Sequence, residues 1–341
     1  MTTARPASAL AAALLLGAAA CAAPHAAAPP RQYGFALPSW TETDYASPVA
    51  ATHVASLAAT GAGWIQLTPT WYQSDPAASA IGRTEETASD ASLRHVVALA
   101  RRHGLKILLK PHLDLPDDRD RAEIRPHDLA AWFTSYRAFL LHYARLAASL
   151  NIEEFAVGTE LAGVQAHRTE WLDVIAAVRA LYPGELTYAA NYDSYSSVPF
   201  WDALDLIGID AYWPLASSPT TSVAALRRAW SPHVKALSSF SATHNKPILF
   251  TEAGYTSQRG TTTAPYSWTL STTPAPKEQA AAYKALLTTF TPHPWWHGVH
   301  FWMWDAFPNS EDPTPSLSYT PHKKPAEKLL PPYFQHPTRS P

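Results

Sequence analysis

From Gln32 onward, short apolar runs alternate with polar loops and longer amphipathic stretches. Eight runs read as strands: residues 32–37, 64–70, 106–113, 153–161, 185–192, 205–213, 246–255 and 298–304. Between them, apolar positions recur at helical spacing over 88–103, 128–150, 171–181, 223–244 and 277–290. His103-Gly104 and Tyr182-Pro183-Gly184 provide stops where two of these helices should end. Strand–helix alternation predicts an α/β protein with a parallel sheet. Eight repeats in about 280 residues predict that the sheet closes into a single (β/α)8 TIM barrel. An open nucleotide-binding sheet would place a Gly-rich turn after its first strand, and none is present. The Thr/Ser/Pro-rich stretch 256–276 follows the seventh strand and reads as a long loop over the active-site face. No linker therefore divides 32–337.

The amino terminus has a different character. Arg5 precedes an apolar run over 7–20, followed by small residues, the layout of a secretory signal. The run is too short for the ~20 residues a membrane span needs. The expectation is a signal over 1–21, a Pro/Ala-rich tether over 22–31 and an exported domain over 32–337. Cys21 is the only cysteine, so the mature domain offers no disulfide, cysteine-based zinc site or thiol nucleophile. Leu15-Leu16-Gly17-Ala18-Ala19-Ala20-Cys21 resembles a bacterial lipoprotein signal, in which the cysteine becomes the lipidated first residue; Ala18 stands where leucine is usual. The resemblance implies a lipid anchor at Cys21 in the cell envelope. Ordinary cleavage, with Cys21 incidental and the protein periplasmic or secreted, is the alternative.

Composition narrows the function. Of 341 residues, 47% are hydrophobic and 16% charged, which excludes general disorder. A formal charge of −2 gives no electrostatic pull on nucleic acid. The chain has 31 prolines and 13 tryptophans, which suits a rigid scaffold with an aromatic-lined cleft, although large cores also use tryptophan.

In a barrel of this kind, chemistry sits at the carboxyl ends of the strands. Glu160 ends the fourth strand, in phase with Ala156 and Gly158, and Glu252 ends the seventh, in phase with Ile248 and Phe250. A carboxylate at the end of an apolar strand is costly unless a site solvates or pairs it. Strands four and seven are three apart in a ring of eight, so the two carboxylates should face each other across the mouth. Paired carboxylates suit glycoside hydrolysis, one protonating the leaving oxygen and the other attacking the anomeric carbon. Either glutamate alone could equally cap a helix or form a salt bridge.

Other strand ends add candidate sugar-binding groups. The third strand offers Lys110 and His112, then Asp114; the fifth offers Asn191 and Asp193; the sixth points Asp210 and Tyr212 inward. The eighth places His300, Trp302 and Trp304 on one face, with both tryptophans as platforms for sugar rings. Trp71, just past the second strand, serves either as a platform or as loop packing. There is no Gly-x-Ser-x-Gly elbow, phosphate-binding loop or His-Glu-x-x-His motif. His293, His297 and His300 are interrupted by Pro294 and two tryptophans, which disfavours a metal site, and the chemistry requires no cofactor.

Gly158-Thr159-Glu160, Asp210-Ala211-Tyr212, Phe250-Thr251-Glu252-Ala253-Gly254-Tyr255 and Phe301-Trp302-Met303-Trp304 resemble the clan A glycoside hydrolases. They look most like family 113, the endo-β-1,4-mannanases, across about 32–335 in the expected order. The resemblance implies a retaining mechanism with Glu160 as acid/base and Glu252 as nucleophile. It implies that Tyr212 hydrogen-bonds the nucleophile and that Trp302 or Trp304 lies beneath the sugar being cleaved. Thr159 stands where many clan members carry asparagine. The expected partner is a polysaccharide of the mannan type, acted on by a monomer. A same-clan β-glucanase or xylanase, or a catalytically idle carbohydrate-binding lipoprotein, are the competing readings.

Overall fold

The structure, a computed structural model, describes Met1, Thr2 and residues 31–117, 119–304 and 316–334. Most of the expected signal, the tether up to Pro30 and Cys21 lie outside the described residues. The strands are β1 (Gln32–Pro38), β2 (Trp64–Thr68), β3 (Thr70–Tyr72), β4 (Lys106–Leu109), β5 (His112–Asp114), β6 (Glu154–Thr159), β7 (Glu185–Asn191), β8 (Ile207–Asp210), β9 (Ile248–Ala253) and β10 (Trp296–Phe301). Eight of them close a barrel in the order β1-β10-β9-β8-β7-β6-β4-β2, with every pair parallel. This is the (β/α)8 barrel expected from the alternation of strands and helices.

Helices α1 (Ala50–Ala59), α2 (Asp90–Arg102), α3 (Leu129–Ser149), α4 (Arg168–Arg179), α5 (Val223–His244) and α6 (Pro276–Phe290) lie between barrel strands, and a short α7 (Pro331–Phe334) comes after the last. Ser89, Asp128 and Ser222 start α2, α3 and α5 by accepting a hydrogen bond from the backbone N–H three residues on. Two expected strands are each broken in two by a proline. Pro69 separates β2 from β3 and Pro111 separates β4 from β5, because proline has no N–H to continue a ladder. The outer halves pair with each other as a separate two-stranded sheet, β3–β5.

Two apolar clusters arise from strand alternation. The large one lies between barrel and helices; a small one of Leu108, Ala156, Leu206 and Leu249 fills the barrel interior. The interior is otherwise polar. Gln32 Nε2 donates to Glu154 Oε2 at 2.6 Å and lies 2.8 Å from His300 Nε2, all three side chains fully buried. Burial pushes the Glu154 carboxyl up to about 8.

Candidate active site

Both glutamates reach the mouth of the barrel through irregularities in their strands. Along β9, Phe250 pairs with Ile209 of β8, and Glu252 pairs with Asp210, the next residue of β8. The β10 side shows the same slip: Phe250 pairs with Val299, and Ala253 with Phe301. β9 thus carries one extra residue, a β-bulge, which re-aims the side chains beyond it. Ile248 and Phe250 face the helices, so strict alternation would have turned Glu252 outward with them. The bulge turns it in, which corrects the expected phase. On β6, the three steps from Ala156 to Thr159 run against two steps of β7, Thr187 to Ala189, and Glu160 then adopts a left-handed backbone with φ 55°.

Glu252 sits in a dense polar cluster. Lys110 Nζ donates to its Oε1 at 2.5 Å, and Tyr212 OH donates to its Oε2 at 2.7 Å. His112 Nε2 lies 3.8 Å from the same Oε1. Lys110 also donates to Asp210, 3.1 Å from Oδ2, and Thr251 Oγ1 donates to Asp210 Oδ1 at 2.7 Å. Burial pulls the Lys110 ammonium down, but Asp210 and Glu252 outweigh it and raise it overall. Burial, with Arg121 and Lys110, holds His112 well below the usual imidazole range, so this ring is neutral. Burial and then the Glu252 charge keep the Tyr212 hydroxyl protonated.

Glu160 is differently placed. Its side chain keeps 20% exposure at the mouth, against 6% for Glu252. Asn191 Nδ2 donates to Oε1 at 3.1 Å, and Arg121 Nη1 to Oε2 at 3.3 Å. Enclosure by protein is the largest influence on its carboxyl. Asp210 and Glu252 add to it, Arg121 and Lys110 oppose, and the result lies well above the usual carboxylate range. Glu252 thus receives an ammonium and a hydroxyl at short range, while Glu160, with a more distant guanidinium and an amide, is pushed toward holding a proton.

Trp302 faces this cluster, its ring near-parallel to His112 (12°) with centroids 5.9 Å apart. Gly254 lets the wall close here. A Cβ on it would lie 2.5 Å from the Trp302 carbonyl oxygen and 2.9 Å from the Tyr319 ring.

Three expected sugar-binding residues do other work. Trp304 is fully buried, edge-on to Phe35 with centroids 5.0 Å apart, and its Nε1 donates to Ser56 Oγ. β10 ends at Phe301, so alternation no longer assigns a face to Trp304. Trp71 lies on α3 against Phe139 and donates to Tyr143 OH at 3.0 Å, which makes it loop packing. Lys110 is fully buried and spends its donors on carboxylates, which leaves it none for a sugar. Conversely, Arg121 had no sequence signal. It lies in the polar loop between β5 and α3, where no periodicity applies, and it bridges Asp114 (Nε to Oδ1, 2.8 Å) and Glu160. Thr159 is buried with its Oγ1 unpartnered among the described residues.

Residues 33–324 match Glycoside Hydrolase Family 113. The chain belongs to that family. Solved structures similar to this family 113 enzyme include a GH113 β-1,4-mannanase described as a complex, with TM-score 0.82 and 25% identity over 90% of this chain and 99% of that one. Another is the GH113 β-mannanase of Alicyclobacillus acidocaldarius in complex with ManMIm, with TM-score 0.81 and 28% identity over 89% and 97% of the two chains. A β-glucuronidase from Ruminococcus gnavus shares the fold alone, at TM-score 0.59 and 13% identity over 90% of this chain and 49% of that one. No curated protein matches the chain significantly.

Proposed function

We propose that this glycoside hydrolase is a retaining β-1,4-mannanase in which Glu252 is the nucleophile and Glu160 the acid/base. The observation that carries the assignment is the unequal treatment of the two carboxyls. Lys110 and Tyr212 donate one to each oxygen of Glu252, an arrangement that holds the side chain in place for attack. Glu160 is raised toward the protonated form a general acid needs. In the first step a Glu252 oxygen bonds to the anomeric carbon while Glu160 gives its proton to the departing glycosidic oxygen. In the second, Glu160 takes a proton from water as that water displaces Glu252.

Identities of 25% and 28% to structures named β-mannanases support mannan as substrate. Endo action is what the family resemblance implies. Assays of wild type and Glu252→Gln on mannan, glucomannan, xylan and β-glucan test the substrate. Wild type should release reducing sugar fastest from mannan, and Glu252→Gln from none. Proton NMR of the first product should show the β-anomer; an initial α-anomer would overturn retention. We further propose export with a lipid anchor at Cys21, to be tested by mass spectrometry of the native amino terminus. A terminus beyond Cys21, or an unmodified Cys21, refutes the anchor.

A further inference from the structure

Charge is unevenly distributed around the barrel. Between Val223 and Trp304 the sequence has seven lysines and arginines and two acids, Glu252 and Glu278, both buried, in a chain whose formal charge is −2. α5 and α6 pack side by side and expose Arg227, Arg228, Lys235, Lys277 and Lys284, with no exposed carboxylate on either helix. None of these five charged groups makes an ion pair or hydrogen bond among the described residues.

This face adjoins the point where the chain enters the barrel. Arg31 Nη2 donates to the carbonyls of His293 at 2.7 Å and Thr291 at 3.3 Å, which fixes the residue before β1 against the turn between α6 and β10. His293 and Thr289 in turn line a groove of about 420 Å³ with Arg227, Arg228, Ser231 and Val234 of α5. Trp295, half-buried, stacks on His293 with centroids 5.3 Å apart. Arg31 and this turn lie at the amino ends of the strands, opposite the mouth that holds Glu160 and Glu252. Only the stretch from Cys21 to Arg31 joins the expected anchor to this rim, a reach of about 35 Å at full extension.

We propose that the α5–α6 face, with Arg227 and Arg228 at its groove, docks on the anionic phospholipid headgroups of the membrane that holds the Cys21 anchor, so that the mouth faces away from the bilayer. The proposal takes its setting from the exported, anchored reading. Unpaired cations with no carboxylate between them complement a negative lipid surface, and each one near that surface adds attraction. A tryptophan at the rim suits the headgroup layer. A lipid chain and a basic patch together give stable attachment where one signal alone is weak. The short tether holds the same rim close to the bilayer, so docking costs little freedom that the anchor has not already removed.

The test is co-sedimentation of the mature chain carrying Cys21→Ala, which has no lipid, with vesicles of phosphatidylcholine alone or mixed with phosphatidylglycerol. The protein should bind the anionic vesicles, ignore the neutral ones and be released by about 0.5 M salt. Arg227→Gln/Arg228→Gln should weaken binding about 30-fold. Arg94→Gln/Arg145→Gln makes the same charge change on α2 and α3, across the barrel, and should stay within about twofold of the parent. Bound to vesicles, the parent should keep its kcat/KM on a soluble hexasaccharide of the polymer it prefers, because the mouth stays free. Equal binding to both vesicles, equal losses in the two double variants, or loss of activity on docking would each overturn the proposal. Binding to dextran sulfate but not to vesicles would overturn it in favour of an acidic polymer. An unmodified Cys21 in the native protein would refute the anchor alone, since vesicle binding without lipid decides the face.

Discussion

The ammonium nitrogen of Lys110 lies 2.5 Å from Oε1 of Glu252, and none of the lysine side chain is exposed. The same nitrogen is 3.1 Å from Oδ2 of Asp210, so one buried cation serves two buried carboxylates. Breaking such a group from the cationic side leaves uncompensated charge and costs about 3–5 kcal/mol. Lys110→Met should lose stability on that scale in denaturant unfolding, and turnover should fall by about 100-fold or more as Glu252 loses its partner. The double variant Lys110→Met/Asp210→Asn should regain much of the stability but not the turnover. A Lys110→Met protein with wild-type stability would contradict the arrangement.

The raised Glu160 carboxyl sets the alkaline limb of activity. The first step needs its proton, so kcat/KM on polysaccharide should fall as pH rises through this raised value. Arg121 opposes the rise from 3.3 Å. Arg121→Met should therefore move the limb to higher pH, with a modest loss of kcat as Glu160 is left to the Asn191 donor. A limb that stays in place or moves to lower pH would show that another group controls it.

Glu154 makes a prediction about stability. Its carboxyl is raised from 4.5 to about 8, so the native state holds a proton that the unfolded chain releases near its ordinary value. The stabilisation is complete below about pH 4.5 and is lost as pH rises to about 8. Glu154→Gln keeps an acceptor for Gln32 and cannot ionise. Its thermal midpoint should therefore vary less than that of wild type between about pH 5 and 8, as calorimetry would show.

The two tryptophans of the eighth barrel strand region should separate cleanly. Trp302→Ala should raise KM or lower kcat on mannan by about tenfold or more with little loss of stability. Trp304→Ala removes a fully buried ring and should cost about 3–5 kcal/mol in unfolding while KM stays near wild type. The reverse pattern would return Trp304 to the cleft.

The barrel was legible because its helix–strand alternation is strong and its turns carry Gly and Pro stops. Helix α5 spans the residues 223–244 that the pattern predicted. α1 was less evident, since half of its sequence AATHVASLAA is alanine and it carries no Asp, Glu, Lys or Arg to mark an outer face. The two glutamates were also legible, as acids closing apolar strands. Their path to the mouth was not, because a β-bulge is a property of register between neighbours and leaves no trace in one strand's alternation. Trp304 was misplaced for a related reason: periodicity was extended past Phe301, where β10 ends. Arg121 acts from a loop, and its partners Asp114 and Glu160 are joined to it only by folding.

The division of labour between Glu160 and Glu252 is tested most directly by azide rescue of Glu160→Ala and Glu252→Ala on an activated aryl β-mannoside. Glu160→Ala keeps its nucleophile, so it should give a burst of phenol and then a slow steady state. Azide should accelerate that steady state and yield the β-mannosyl azide, because it attacks the glycosyl-enzyme without a general base. Glu252→Ala should give no burst and, with azide, only the α-mannosyl azide formed by direct displacement. A burst and β-azide from Glu252→Ala, with neither from Glu160→Ala, would reverse the two roles, and wild-type activity in both variants would place the catalytic site elsewhere.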